Sequence, residues 1–214
     1  MKRQPGLLLK GYMAYKVAHM KVIEFCGMPR AGKTTQILRL KRHLEAKGLK
    51  VGVVSDRELS EAVKVRPIES LGYILVFFGL ALDDYFKHLP DHDFLLMDRG
   101  FNDASTWADV RLQLKTISQE ECEAFHTCFA PYRKLSDLIF RFDVSVNQSL
   151  ERHEASGDHL EVDKVAMNRQ WLEAIQTSYN NTAHFYNNVV PIDGHRPMDE
   201  TEALIQEHVL ALLA

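Results

Sequence analysis

Residues 25–36 read FCGMPRAGKTTQ. Within them, Gly27 to Thr34 matches the pattern G-x-x-x-x-G-K-[ST] at every required position, and the flanks supply the context that gives the pattern its meaning. On the amino side, Lys21 to Cys26 (KVIEFC) is a short β-branched and aromatic run. On the carboxyl side Ile37, Leu40 and Leu44 recur at helix spacing, with Gly48 as the helix stop. Strand, glycine-rich loop and helix together bring backbone N–H groups onto phosphate oxygens, and the helix turns its positive dipole end toward the same anion. The spacing predicts a nucleotide phosphate site made of Gly27, Met28, Pro29, Arg30, Ala31, Gly32, Lys33, Thr34 and Thr35. Lys33 would face the β and γ phosphates of ATP, and the Thr34 hydroxyl would ligate Mg²⁺.

Outward from that loop the chain keeps alternating. Lys50 to Ser55, Phe94 to Met97, the stretch SDLIFRFDV (136–144) and NVVPID (188–193) read as further strands. Between them, Leu71 to His88 and Gln119 to Tyr132 read as helices, as does the segment carrying Val165, Leu172, Ile175, Tyr179 and Tyr186. The tail DETEALIQEHVLALL (199–213) has Asp199 and Glu202 in capping-box spacing and Ile205, Val209 and Leu212 on one side. This order predicts an α/β fold, a three-layer α/β/α arrangement around a parallel five-stranded sheet, with ligands at the carboxyl ends of the strands.

With 214 residues, 46% of them apolar, the chain suits one core, read as a domain over residues 20–214 after an N-terminal extension, 1–19. A net charge of -3 argues against a nucleic-acid polymer as partner. Three cysteines, Cys26, Cys122 and Cys128, are too few for a disulfide framework and fit a reducing, cytoplasmic setting. The apolar run Leu71 to Leu82 falls well short of the roughly twenty residues that span a bilayer, so it predicts a buried helix and no membrane association. The histidines are scattered. Pairs such as His88 and His92 lack the accompanying cysteines or acids of a closed transition-metal site.

Asp98 ends the apolar strand, so its carboxylate emerges at the sheet edge beside the phosphate loop, where a metal or its hydration shell needs an acid. Arg99 follows it. After the second strand comes SDRE (55–58), where an acceptor would be held. Asp56 or Glu58 suits a general base if that acceptor is a hydroxyl, Arg57 suits a phosphate acceptor, and an ordinary polar loop is the third reading. Tyr73, Phe77 and Phe78 have the spacing of a helix core face, and all three, Phe77 first, are also candidates for stacking on a base.

Taken in order and at these separations, GMPRAGKTTQ, DRGFNDAS and SDLIFRFDVSVNQSLER resemble the thymidylate kinase family of nucleoside monophosphate kinases, whose plan the deoxynucleoside kinases share. The likeness runs from about Met20 to Leu213. It implies a P-loop kinase that transfers the ATP γ-phosphoryl to a small-molecule acceptor, with dTMP to dTDP as the first reading. A deoxynucleoside or other hydroxyl compound, or a nucleotide-dependent regulatory ATPase, are the alternatives. It also implies that Arg99 holds an acceptor phosphate, that Asp98 stands near the metal, and that a lid covers the donor, here residues 151–163 with Arg152 at its start. That lid contains His153 and His159 but few cations, whereas the loop carries Arg30, so Arg30 takes the role of mobile cation on the transferring group. The family also allows a homodimer. The chain departs from the family pattern at Pro29, where an aspartate helps hold the nucleotide sugar. It departs again at Cys26, in place of a glutamate, and at Asp83 and Asp84, where an arginine near the base is common.

Overall fold

The structure, a computed structural model, describes residues 20–64, 66–157, 165 and 167–213. The expected extension, 1–19, and the part of the expected lid from 158 to 163, including His159, lie outside the described residues.

Five strands form: β1 (Lys21–Gly27), β2 (Val51–Val54), β3 (Phe94–Asp98), β4 (Leu138–Asp143) and β5 (Val189–Asp193). All pair in parallel, in the order β2-β3-β1-β4-β5. Every residue of β3 is buried, as its continuous apolar sequence predicts for a strand covered on both faces. Pro191, which has no ladder donor, sits in β5, at the edge of the sheet. From β1 the chain crosses to one side of the sheet, and from β3 it crosses to the other. The carboxyl ends of β1 and β3 therefore flank a crevice. Phe25 and Asp98 are register partners there, and Gly27 faces Phe142 on the far side.

Flanking the sheet are α1 (Lys33–Glu45), α2 (Asp56–Val63), α3 (Leu71–His88), α4 (Asp103–Gln113), α5 (Gln119–Arg133), α6 (Val146–Ser156), α7 (Arg169–Asn181) and α8 (Met198–Leu210). Serine hydroxyls at Ser55, Ser70, Ser118 and Ser145 cap α2, α3, α5 and α6, and Ser118 with Glu121 makes a reciprocal capping box. The core is aromatic. Phe25 packs on Phe140 at 5.3 Å, and Phe78 of α3 meets Phe125 and Phe129 of α5 edge-on. No helix among the described residues is long and apolar enough to cross a membrane.

At four segments the elements go beyond or differ from those the sequence predicts. The segment SDRE is the start of α2, whose buried face is only Leu59, Ser60 and Val63, too brief to show as a stripe. α4 was not foreseen, because its buried residues include Asp103, Ser105, Thr106 and Arg111, and a helix buried through polar side chains carries no apolar period. The first six residues of the expected lid, Glu151 to Ser156, are the end of α6, closed by Gly157 in the left-handed region. α8 starts at Met198 with Pro197 at its cap, because Asp199 and Glu202 do not form a capping box. Both carboxylates instead accept from Arg39 Nη1 of α1, each at 2.6 Å.

Candidate active site

The phosphate loop is held at both ends before any ligand arrives. Gly27 has φ 118°, and a Cβ there would lie 2.0 Å from the Phe142 carbonyl oxygen, so only glycine fits between β1 and β4. Met28 N–H donates to that same carbonyl at 3.0 Å. From outside, α6 grips the loop through its backbone: Ser149 Oγ donates to the Pro29 carbonyl at 2.7 Å and Arg152 Nη1 to the Arg30 carbonyl at 3.2 Å. Arg30 adopts φ 58°, a left-handed conformation unusual for a non-glycine residue and common at ligand loops.

Lys33 is buried and donates to the carbonyls of Gly27 (3.3 Å) and Met28 (3.0 Å). Burial, then the nearby Arg99 charge, pulls its ammonium below the usual lysine value. Thr34 Oγ1 donates to Asp98 Oδ2 at 2.5 Å, which places two hard oxygen donors together on the floor of the crevice. That donor set suits Mg²⁺, which takes few protein oxygens and keeps its remaining positions for phosphate and water.

Beside the loop opens a cavity of ≈ 330 Å³. One end is polar, with Lys33, Thr34, Asp56, Asp98 and Arg99; the other is apolar, with Ile68, Tyr73, Phe77, Trp107 and Met167. Arg99 sits where they meet. Its backbone is left-handed (φ 65°) and its N–H donates to the Phe25 carbonyl at 3.0 Å, which anchors it to β1. Its guanidinium donates from Nε to Asp56 Oδ2 at 3.2 Å and from Nη1 to Asp103 Oδ2 at 3.1 Å, and lies 4.8 Å from the Trp107 ring centre. Loss of water in the cleft, against the opposing pull of Arg99, raises the Asp56 carboxyl above the ordinary aspartate value of 3.8.

The other expected residues are distributed more widely. Phe77 is both core and cavity wall: it is buried, stacked on Tyr73 at 6.2 Å, and lines the apolar end. Arg57 lines the cavity, whereas Glu58 is exposed, forms no part of the wall, and gives its N–H to the Ser55 cap at 3.4 Å. Thr35 is exposed on the first turn of α1. Arg152 does not reach this cavity. It lines a second recess, ≈ 370 Å³, with Gly32, Gln36, Gly194 and Arg196, and donates to the Gly194 carbonyl at 2.8 Å. Arg30 lines both spaces, so it stands between them. His88 and His92 meet edge-on with ring centres 4.7 Å apart, and no metal-binding group of three or more His, Cys, Asp or Glu occurs among the described residues.

Several residues that shape the cavity were not singled out in the sequence. Asp103 is fully buried; besides Arg99 it accepts from Trp107 Nε1 at 2.8 Å and from the Tyr179 hydroxyl. Its one sequence signal is its place four residues after Arg99. Arg111, also fully buried, lies under 6 Å from the rings of Tyr73, Trp107 and Trp171. It donates to the carbonyls of Ile68, Ser70 (3.3 Å) and Trp107 (2.8 Å), which pins the 68–70 turn to α4 and so fixes one cavity wall. Burial lowers its pKa from the usual arginine range to about 9. Glu24, inside β1, accepts from Phe101 N–H (2.9 Å), Asn102 N–H (3.1 Å), Asn102 Nδ2 (3.2 Å) and Ser136, which fixes where α4 begins. Burial outweighs those hydrogen bonds and pushes its carboxyl up to about 7.

No family model matches the chain, and no curated protein matches it. Solved structures do. Deoxyadenosine kinase from M. mycoides with bound dATP superposes with TM-score 0.67 at 14% identity, over 88% of this chain and 98% of that one. The same enzyme with bound dCTP gives TM-score 0.65 at 13% identity, over 89% and 99%. With the products dCMP and a flexible dCDP it gives 0.58 at 14% identity, over 89% and 99%. The chain therefore has the fold of P-loop nucleoside kinases, spanning nearly the whole of each.

Proposed function

We propose that this chain is an ATP-dependent kinase that phosphorylates a hydroxyl of a small molecule of the nucleoside class, a 2′-deoxynucleoside being the first acceptor to test. The carrying observation is the state of Arg99. Its guanidinium is already paired with Asp56 and Asp103, so it is engaged by carboxylates where a phosphate acceptor would need it, while Asp56 stands in the cavity wall as a base for a hydroxyl. The deoxyadenosine kinases that share the fold support the same acceptor class. This displaces the nucleotide-acceptor reading with dTMP to second place. That reading keeps one support, Arg57 in the cavity wall.

In the proposed reaction the acceptor hydroxyl oxygen attacks the γ-phosphorus of ATP in line. A new O–P bond forms as the bond from the γ-phosphorus to the β–γ bridging oxygen breaks, and ADP departs. Asp56 takes the hydroxyl proton, and the raised carboxyl makes it a better base than an ordinary aspartate. Lys33 leaves its loop carbonyls for the phosphates, and Arg30, between the two spaces, neutralises charge on the moving group. Thr34 and Asp98 would hold Mg²⁺, which supplies charge neutralisation to the phosphates when bound. The apolar walls, Phe77 and Trp107 among them, receive the acceptor's ring and exclude water.

The test is ADP release from Mg-ATP with a panel of 2′-deoxynucleosides, ribonucleosides and nucleoside monophosphates. Nucleoside-stimulated turnover supports the proposal, and stimulation by monophosphates alone restores the dTMP-type reading. Slow hydrolysis indifferent to every compound would favour a regulatory ATPase and overturn both.

A further inference from the structure

We infer that Asp103 and Tyr179 are positioning residues that couple the phosphate loop to Arg99, so that donor and acceptor ends of the crevice respond as one unit. The inference rests on the kinase reading for its effect on turnover, and on geometry alone for the coupling itself.

The Tyr179 hydroxyl has one hydrogen and both its directions are spent. It accepts from Gly27 N–H at 2.7 Å and donates to Asp103 Oδ1. Asp103 in turn divides its carboxylate, with Oδ1 on Tyr179 and Oδ2 on Arg99 and Trp107. The path from Gly27 through Tyr179 and Asp103 to Arg99 thus runs through buried residues, linked at each step by a hydrogen bond. It begins on the first residue of the phosphate loop and ends on the guanidinium that faces Asp56. Arg99 lines the cavity and Gly27 opens the loop beside it, whereas Tyr179 comes from α7, distant in sequence. A buried tyrosine needing only a partner would be satisfied by one carbonyl; this one joins Gly27, whose backbone has positive φ, to Asp103, whose other carboxylate oxygen holds Arg99. Because neither end can move without breaking a buried hydrogen bond, a shift of the loop on nucleotide binding is felt at Arg99.

Amide hydrogen exchange on the intact chain, with and without Mg²⁺ and a non-hydrolysable ATP analogue, tests this. In the wild type the nucleotide slows exchange in residues 27–34 and also in residues 99–107. Tyr179→Phe, which keeps the packing ring, retains the first response and loses the second by about tenfold or more. An unchanged response at 99–107 in the variant, or none there in the wild type despite protection of 27–34, overturns the inference. A ligand-free comparison decides the coupling whether or not nucleotide binds. Asp103→Asn does not touch Gly27, yet it accelerates exchange of the Gly27 amide by about tenfold, as Tyr179→Phe does. Equal Gly27 rates in Asp103→Asn and wild type overturn the coupling. Nucleotide that protects no residue of 27–34 overturns the donor reading instead. In turnover, Tyr179→Phe lowers kcat with little change in the KM for ATP; a loss confined to thermal stability, with kcat intact, reduces Tyr179 to a structural residue.

Discussion

The two ends of the crevice are built by opposite means. The proposed donor end is a run of consecutive residues, Gly27 to Thr34, that offers backbone N–H groups and one helix terminus. The proposed acceptor end is assembled from side chains that come from α2, the turn after β3, α4 and α7: Asp56, Arg99, Asp103, Trp107 and Tyr179. A backbone site depends on loop conformation, and loop conformation is written in adjacent residues. A side-chain site depends on which elements the sheet order brings together.

That contrast is open to attack at both ends. The largest effect falls on the donor side: Lys33→Ala lowers kcat/KM by about 10²–10³-fold or more, measured as ADP release at saturating acceptor. Survival of turnover would move the donor site elsewhere. At the acceptor end, Asp56→Asn costs on the order of 10²–10⁴-fold if Asp56 is the general base. In the wild type, kcat/KM falls as pH drops through the Asp56 carboxyl value, which lies above 3.8, because the protonated acid cannot take the hydroxyl proton. Asp56→Asn lacks that acid limb. A variant with near-normal turnover points back to a phosphate acceptor, which needs no base.

Arg30→Ala, between the two ends, lowers kcat more than it raises the KM for ATP, as expected for a cation that acts on the moving group. An equal change in both makes it a binding residue of the donor end alone. Smallest in turnover and visible in stability is Glu24, which holds the start of α4 under the acceptor end. Its folded carboxyl, at about 7, binds a proton more tightly than the unfolded chain at 4.5, so its contribution is fully present below 4.5 and is lost as pH rises to 7. The gap corresponds to roughly 3 kcal/mol. Urea unfolding at pH 4.5 and pH 8 should show the wild type losing about that much relative to Glu24→Gln. A constant difference between the two proteins would mean that the Glu24 hydrogen bonds, and not its burial, set its titration.

Legibility in the sequence followed the same division. The five strands, the long apolar α3 and the phosphate loop were readable because each is a local pattern: β-branched runs, the apolar stretch Leu71 to Leu82, glycines at fixed offsets. Asp98 and Arg99 were readable as the end of an apolar strand, and Asp56 as one of three candidates in SDRE. What α4 does was hidden, since Asp103, Thr106 and Arg111 look like surface residues until Tyr179, Thr182 and the 68–70 turn are brought against them. The contacts of Arg152 were hidden for a related reason: its position in the chain does not say that α6 turns it onto the Arg30 and Gly194 carbonyls.

By itself, then, the amino-acid sequence determined that the chain is a parallel α/β fold with a phosphate loop after its first strand, because periodicity and loop chemistry are properties of neighbouring residues. Only the tertiary structure decided that Arg99 is held by Asp56 and Asp103, and that Tyr179 reaches Gly27. Charge pairing across strand ends and buried hydrogen bonds depend on distances between residues up to 152 apart in the chain, and no local pattern encodes those distances.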